Sequence, residues 1–263
     1  MPHKSIEPLA NRTYLVVGAA GNLGPIWCSK ILEGGGKVVA IGLNSKSDPK
    51  LLRLKENVGE NLVLVDQDIS LPINSQLETI LNETKISGVI LNAGIDSTPG
   101  AGFSDITEFD FDFWVKVLSI NVAAVVSTLN NVIPRLTNDA SVVFIGSMYA
   151  LVSPTPSLYS HFNSGAGSIK NPAYGASKAA LISICNQYAT HFGAQGIRFN
   201  LLTLGGIDGQ QDIEFKRKFI EKVPLSRMGN SSELGAALTF LLSEQSSYMT
   251  GHNLVIDGGF TKW

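Results

Sequence analysis

The sequence predicts an α/β fold: a doubly wound parallel sheet of about seven strands with helices on both faces. Three observations lead there. Short apolar runs rich in β-branched residues are continuous rather than alternating, as in strands covered on both faces. Longer amphipathic stretches separate them, giving a βαβ rhythm and hence parallel pairing. The first apolar run ends in a glycine-rich turn that opens a helix.

The strands are expected at Tyr14–Val17, Val38–Ile41, Leu62–Val65, Val89–Leu91, Val142–Ile145, Ile197–Leu202 and Leu254–Ile256. The helices fall near 24–34, 50–58, 74–84, 107–135, 172–192 and 231–243. Pro25 and Pro172 each suit a first helical turn, where a missing N–H costs nothing. Two long loops remain, 148–171 and 205–229, the second with a short helix-like stretch at Asp212–Lys222. Both follow strands, so both belong at the carboxyl edge of the sheet, where such folds bind ligands. No repeat or linker divides the chain, and 1–263 reads as one domain.

Composition narrows the function. The chain has 263 residues, 44% hydrophobic and 16% charged, with a net charge of -2. No basic excess points to nucleic acid, and no charge block to a membrane surface. The start, MPHKSIEPLANR, lacks the apolar core of a signal peptide. No stretch is expected to span a bilayer, since the run around Val115–Val126 is interrupted by Lys116, Ser119 and Asn121. Cys28 and Cys185 lie far apart and read as small core residues of a reduced, cytoplasmic protein. His3, His161, His191 and His252 make no metal-ligand spacing.

In the turn VVGAAGNLGPIW, Gly18, Gly21 and Gly24 are spaced three apart, around Asn22 and Leu23. Glycines let the backbone turn tightly and approach a pyrophosphate, which then faces a helix amino terminus. This predicts dinucleotide binding.

In NPAYGASKAAL, Tyr174 precedes Lys178 by one helical turn, so both side chains share a face. A free phenol has a pKa of about 10. Bringing it near 7 takes roughly 4 kcal/mol, and a cation beside the phenolate supplies stabilisation of that kind. Such a tyrosine can exchange a proton with an alcohol or carbonyl oxygen. An exposed tyrosine beside a solvated lysine has the same spacing, so the pair alone does not decide.

With the glycine turn, NAG at Asn92–Gly94, Asp68-Ile69 after the third strand, Asn121, Ser147 and YGASK at Tyr174–Lys178, the chain resembles the short-chain dehydrogenase/reductase family. TGHNLVIDGG near the end is similar to the family's last strand. The resemblance implies a Rossmann-like single-domain fold and interconversion of a secondary alcohol and a ketone. It implies that Tyr174 is the general acid/base, that Lys178 lowers its pKa and binds the nicotinamide ribose, and that Ser147 holds the substrate oxygen. Asn121 would position a water linking Lys178 to solvent. Gly18, Gly21, Asn22, Leu23, Gly24, Gly42, Asn44, Lys46, Asp68, Ile69, Asn92, Ala93, Gly94, Gly205 and Ile207 would contact the cofactor. Ile207 would do so through its backbone, on the nicotinamide amide. Family members commonly form tetramers, which implies a homotetramer or dimer here.

Several features depart from the family pattern. Asn22 replaces a glycine, and Leu204-Gly205 replaces a Pro-Gly. Ser147 and Tyr174 are about twice the usual distance apart in sequence. The extra piece carries Tyr159, His161, Asn163 and Lys170, which suit either a polyhydroxylated or phosphorylated substrate or a subunit interface. With GGIDGQ and VPLSRM, this loop is similar to dehydrogenases of flagellin-modification and surface-glycan sugar biosynthesis, which implies a sugar, sugar phosphate or polyol. Phe103, Phe109, Phe111, Phe113 and Trp114 read as core or subunit interface.

For the cofactor, Gly42 stands where NAD-specific relatives carry an acid, and Asp48 comes late to replace it. Leu43 stands where NADP-specific relatives often carry arginine, and Asn44, Ser45 and Lys46 remain to meet a 2′-phosphate. The expectation leans to NADP over NAD. Two other functions compete: a non-catalytic redox-sensing nucleotide module, and an epimerase or dehydratase that retains its cofactor.

Overall fold

The computed structural model describes residues 7–97, 106–162 and 170–263; His3, Phe103 and Asn163 lie outside them. Seven strands form one sheet in the order β3-β2-β1-β4-β5-β6-β7. They are β1 (Thr13–Val17), β2 (Lys37–Gly42), β3 (Leu62–Asp66), β4 (Ile86–Leu91), β5 (Leu136–Ser147), β6 (Arg198–Leu204) and β7 (Asn253–Ile256). Every pairing is parallel. The helices are α1 (Gly24–Glu33), α2 (Pro49–Val58), α3 (Ser75–Glu83), α4 (Phe111–Leu118), α5 (Val125–Val132), α6 (Pro172–Phe192), α7 (Ile213–Ile220) and α8 (Leu234–Leu242).

The continuous apolar runs are explained by two cores, one on each face. Leu15 and Val17 of β1 pack with Leu77, Leu129 and Leu181 from α3, α5 and α6. Tyr14 and Val16 point the other way, to Trp27, Leu51 and Leu238 from α1, α2 and α8. Cys185 belongs to the first core and Cys28 to the second, and burial pushes both thiols up. A smaller third cluster joins the two long loops through Met148, Leu158, Tyr159, Phe219, Val223, Met228 and Phe260. Phe219 stacks on Phe260 with centroids 4.9 Å apart.

Several boundaries differ from expectation: β4 starts at Ile86 rather than Val89, β6 ends at Leu204 rather than Leu202, and three more have a local cause. β5 starts at Leu136, ahead of the predicted Val142, because its first residues are partly exposed and polar. The helix expected from 107 starts at Phe111, where the Asp110 carboxylate accepts the Phe113 N–H at 3.0 Å. A capping box of Asn230 and Glu233 sets a single tight turn before α8.

α4 runs through a wider π-helical turn, Ser119–Ala124, into α5. Contrary to the reading that polar residues break this stretch, the helix Phe111–Arg135 is long and apolar enough to cross a membrane by length and composition. Here its buried face, with Val125, Leu129 and Val132, packs into the first core.

Candidate active site

The glycine turn hangs on β2: the N–H groups of Gly18 and Ala19 both donate to Ile41 O at 2.9 Å. Gly18 has φ 78° and Gly21 φ 108°, left-handed conformations that favour glycine. A Cβ on Gly18 would lie 2.5 Å from the Ala93 Cα, and one on Gly24 2.1 Å from the Ala19 carbonyl oxygen. Leu23 stands at the N-cap of α1 and supplies no side-chain cap, while Asn22 is exposed. Pro25 has no N–H and the Ile26 N–H donates to Leu23 O at 3.0 Å, so it is the Gly24 N–H, with the positive end of the α1 dipole, that remains to face an anion. Asn92 pins the turn from behind. Its Nδ2 donates to Gly18 O at 2.7 Å, and its Oδ1 accepts the Trp27 indole N–H at 2.9 Å. Its side chain thus serves the turn's shape.

Ser147 ends β5, Tyr174 and Lys178 lie on α6, and Asn121 sits in the π turn. Ser147 hydrogen-bonds the Tyr174 hydroxyl. Lys178 is 3% exposed, its Nζ donates to Ile145 O at 3.0 Å, and it lies 5.9 Å from the Tyr174 ring centroid. The fully buried Asn121 accepts the Ile95 N–H at 2.7 Å and donates to Ile95 O at 2.9 Å and to Ser177 Oγ at 3.0 Å. Ser177 Oγ in turn donates to Tyr174 O at 2.7 Å. A Cβ on Gly94 would sit 3.3 Å from Asn121 Oδ1 and 3.4 Å from Lys178 Nζ, so glycine keeps that corner open.

The electrostatics run against the expectation that Lys178 draws the phenol down. Burial, followed by the Asp96 carboxylate, pushes Tyr174 up to about 12, against the Ser147 hydrogen bond, which lowers it. Burial lowers Lys178 to about 8. The loss of hydration by the phenolate outweighs the Ser147 hydrogen bond.

Two neighbours have no sequence signature. Tyr149 hydrogen-bonds Tyr159 hydroxyl to hydroxyl at 2.7 Å, and burial pushes Tyr149 up to about 12 and Tyr159 further. Asp96 pairs with Lys170, whose Nζ lies 5.1 Å from the Tyr174 ring centroid. His161 meets Asp212 at 2.9 Å and Lys218 at 3.2 Å, clasping the first long loop to α7.

A family model described as enoyl-(acyl carrier protein) reductase matches residues 18–261. The chain belongs to the short-chain dehydrogenase/reductase family. It is 29% identical over 270 residues to an uncharacterized short-chain type dehydrogenase/reductase of Sinorhizobium fredii, covering 99% of this chain but only 45% of that protein. It is 28% identical over 258 residues to an L-xylulose reductase of Caenorhabditis elegans, covering 95% of this chain and 96% of the relative. A short-chain dehydrogenase of Leptospira borgpetersenii with bound NAD+ superposes with a TM-score of 0.81 at 24% identity, covering 99% of this chain and 97% of that one. This short-chain dehydrogenase/reductase is an NAD(P)-dependent oxidoreductase.

The chain's residues fit a nicotinamide dinucleotide at the glycine turn, where the uncapped helix end and the open Gly94 corner would take it. At the ribose end, Gly42 closes β2, and a Cβ there would meet Ser45 Oγ at 3.1 Å. Among the described residues Ser45 Oγ is buried with no hydrogen-bond partner, and Asn44 is exposed. Lys46 turns its ammonium to Gln76 Oε1 at 2.8 Å. Asp48 caps α2 with one oxygen, and its other oxygen accepts the Gly21 N–H at 3.3 Å. The sequence reading passed over this carboxylate, because only the fold of residues 43–48 returns it to the glycine turn. The Asp68 carboxylate is engaged by Ser70, and Ile69 packs on the first core. Gly205 is required by close approach, since a Cβ would stand 2.6 Å from the Asp257 Cα. Ile207 bridges to Gly229, with ladder bonds made by Asp208 N–H and Gly206 O that leave its own N–H unused.

Proposed function

We propose that this chain interconverts a secondary alcohol and a ketone, with Tyr174 as general acid/base, Ser147 holding the substrate oxygen and Lys178 and Asn121 supporting the proton path. The observation that carries the reading is the convergence of Ser147, Tyr174, Lys178 and Asn121 beside Gly94 at the carboxyl edge of the sheet. When bound, the nicotinamide supplies or accepts the hydride. The protein must then handle only a proton. A phenol held protonated across the neutral range is an acid in its resting form. An alkoxide is a stronger base than a phenolate, so Tyr174 can protonate the oxygen of a ketone as it is reduced. The resting, protonated form of Tyr174 is thus the one that ketone reduction requires. The Lys170–Asp96 pair beside Tyr174 and the L-xylulose reductase relative support a sugar, sugar phosphate or polyol as substrate.

Gly42 leaves room for a 2′-phosphate, but Lys46 is turned to Gln76, and the Asp48 carboxylate at Gly21 would repel that phosphate. On this balance NAD is preferred over NADP. The exposed apolar side chains of Phe109, Phe111, Val115 and Leu118 support association with further copies of the chain.

The test is Tyr174→Phe. Nicotinamide fluorescence should show dinucleotide binding close to that of the unaltered protein, while ketone turnover falls about a thousandfold. A variant that turns over normally would refute the assignment.

A further inference from the structure

The proton chemistry above makes no use of a carboxylate that stands at the same corner. Asn121 holds Ile95 by both its N–H and its C=O, so the next residue, Asp96, leaves the end of β4 at a fixed place. Asp96 Oδ2 takes the Lys170 ammonium, and that Nζ lies 5.1 Å from the Tyr174 ring centroid. Asp96 Oδ1 accepts the Ser97 N–H at 2.7 Å. A carboxylate offers about four lone-pair sites, so these two contacts leave about half of them. The Asp96 side chain is 31% exposed and that of Lys170 only 10%, so the open part of the ion pair is its acceptor. The catalytic groups feel this charge. After burial it is the next cause that pushes Tyr174 up, and at Lys178 it opposes the lowering by burial. Behind burial it also raises Tyr149 and Tyr159. These two tyrosines share one hydrogen bond but carry two phenolic protons, so one O–H remains to donate.

A carboxylate here opposes ionisation of Tyr174, so proton transfer does not call for it. Paired with Lys170, it also presents no net charge to a ligand. What an open, acceptor-only group can recognise is a donor, and on a small carbonyl compound the donor is a hydroxyl. We propose that Asp96 is a specificity-determining residue that accepts a hydrogen bond from a hydroxyl beside the reacting carbonyl, so that the substrate is a polyhydroxylated ketone recognised by its hydroxyl groups rather than by a charge. Lys170 positions and neutralises the carboxylate. This rests on the alcohol/ketone reading and deepens it. A ketone without the hydroxyl would cover the carboxylate and leave it without a partner, which costs binding.

The test compares two ketones of equal size, hydroxyacetone and butanone, with saturating NADH. The unaltered protein should favour hydroxyacetone at least tenfold in kcat/KM. Asp96→Leu should cut that preference at least fivefold, through KM rather than kcat. Asp96→Asn keeps one acceptor oxygen and should retain most of it. Lys170→Met should slow both ketones alike and keep the preference, which separates contact with substrate from a role confined to the ion pair. Asp96→Leu combined with Lys170→Met removes both charges and should lose the preference as Asp96→Leu does, so that a stranded ammonium is not the cause. Calorimetric titration of the NADH-saturated protein with xylitol reads the contact without turnover, and affinity should fall at least tenfold in Asp96→Leu. Equal losses on both ketones in Asp96→Leu, or an unchanged affinity for xylitol, would overturn the proposal. Xylitol binding that depends on Asp96, with neither ketone reduced, would keep the contact and sink the ketone-reduction reading.

Discussion

Lys178 keeps its charge in a place that opposes it. Burial lowers it from 10.5 to about 8, so the unfolded chain holds that proton more tightly than the folded one. Below pH 8 the folded protein bears the full penalty, on the order of 3 kcal/mol. Stability from this group therefore rises as pH climbs from about 8 toward 10.5. Lys178→Met should raise the thermal midpoint at pH 7 while lowering turnover a hundredfold or more, as seen by calorimetry and steady-state assay. Reduction by the unaltered protein should hold steady through neutrality and decline above about pH 8. There Lys178 discharges while Tyr174, at about 12, is still protonated. A rate that climbs through that range would mean the phenolate, not the phenol, is the working form. At this scale the sequence was legible wherever a signal is local. Tyr174 and Lys178 share a helix face by spacing alone, and Ser147 closes its strand. Asp96 and Tyr149 were not legible, because what matters about them is a partner from a distant part of the chain, Lys170 for one and Tyr159 for the other.

Between residues and fold stand the elements whose ends make the site. α2 begins at the carboxylate that also closes on the glycine turn. Asp48→Asn retains a side-chain cap and removes the charge, so α2 should persist. The ratio of NADPH to NADH affinity should then rise at least fivefold in fluorescence titrations; an unchanged ratio would remove Asp48 from cofactor choice. The π turn Ser119–Ala124 is a second such element. An ordinary helical pattern describes its flanks, but one wide turn has no periodic signature, and it is this turn that places Asn121 against the Ile95 backbone. Helix positions were therefore read closely from sequence, and the local irregularity that aims a functional amide was not. The same holds for the ends of the loops. His161 was visible in the extra segment, whereas its clasp to Asp212 and Lys218 arises only when both long loops pack through Tyr159, Phe215 and Phe219.

For the whole molecule, strand positions were readable because both faces of the sheet are covered, which forces unbroken apolar runs. Strand order was not, since nothing local states which neighbour a strand takes. The surface adds one more feature. Phe111, Val115 and Leu118 form an exposed stripe along α4 with Phe109 beside it, so part of the predicted aromatic cluster lies outside the core. A second copy of the chain is the occupant proposed above. Phe111→Glu with Val115→Lys should reduce the particle mass in light scattering by at least half, with far-ultraviolet dichroism unchanged. A monomer before and after substitution would end that reading.

The order β3-β2-β1-β4-β5-β6-β7 also bears on how the chain assembles as it is synthesised. β2 and β3 add outward from β1 on one side as soon as each emerges. After β3 the chain must recross the growing sheet, through α3, to lay β4 on the bare edge of β1. From there β5, β6 and β7 again add one by one. A ribosome-bound chain thus reverses its direction of growth once. Until that crossing is made, the β1 edge that will flank the glycine turn stays open to any competing strand.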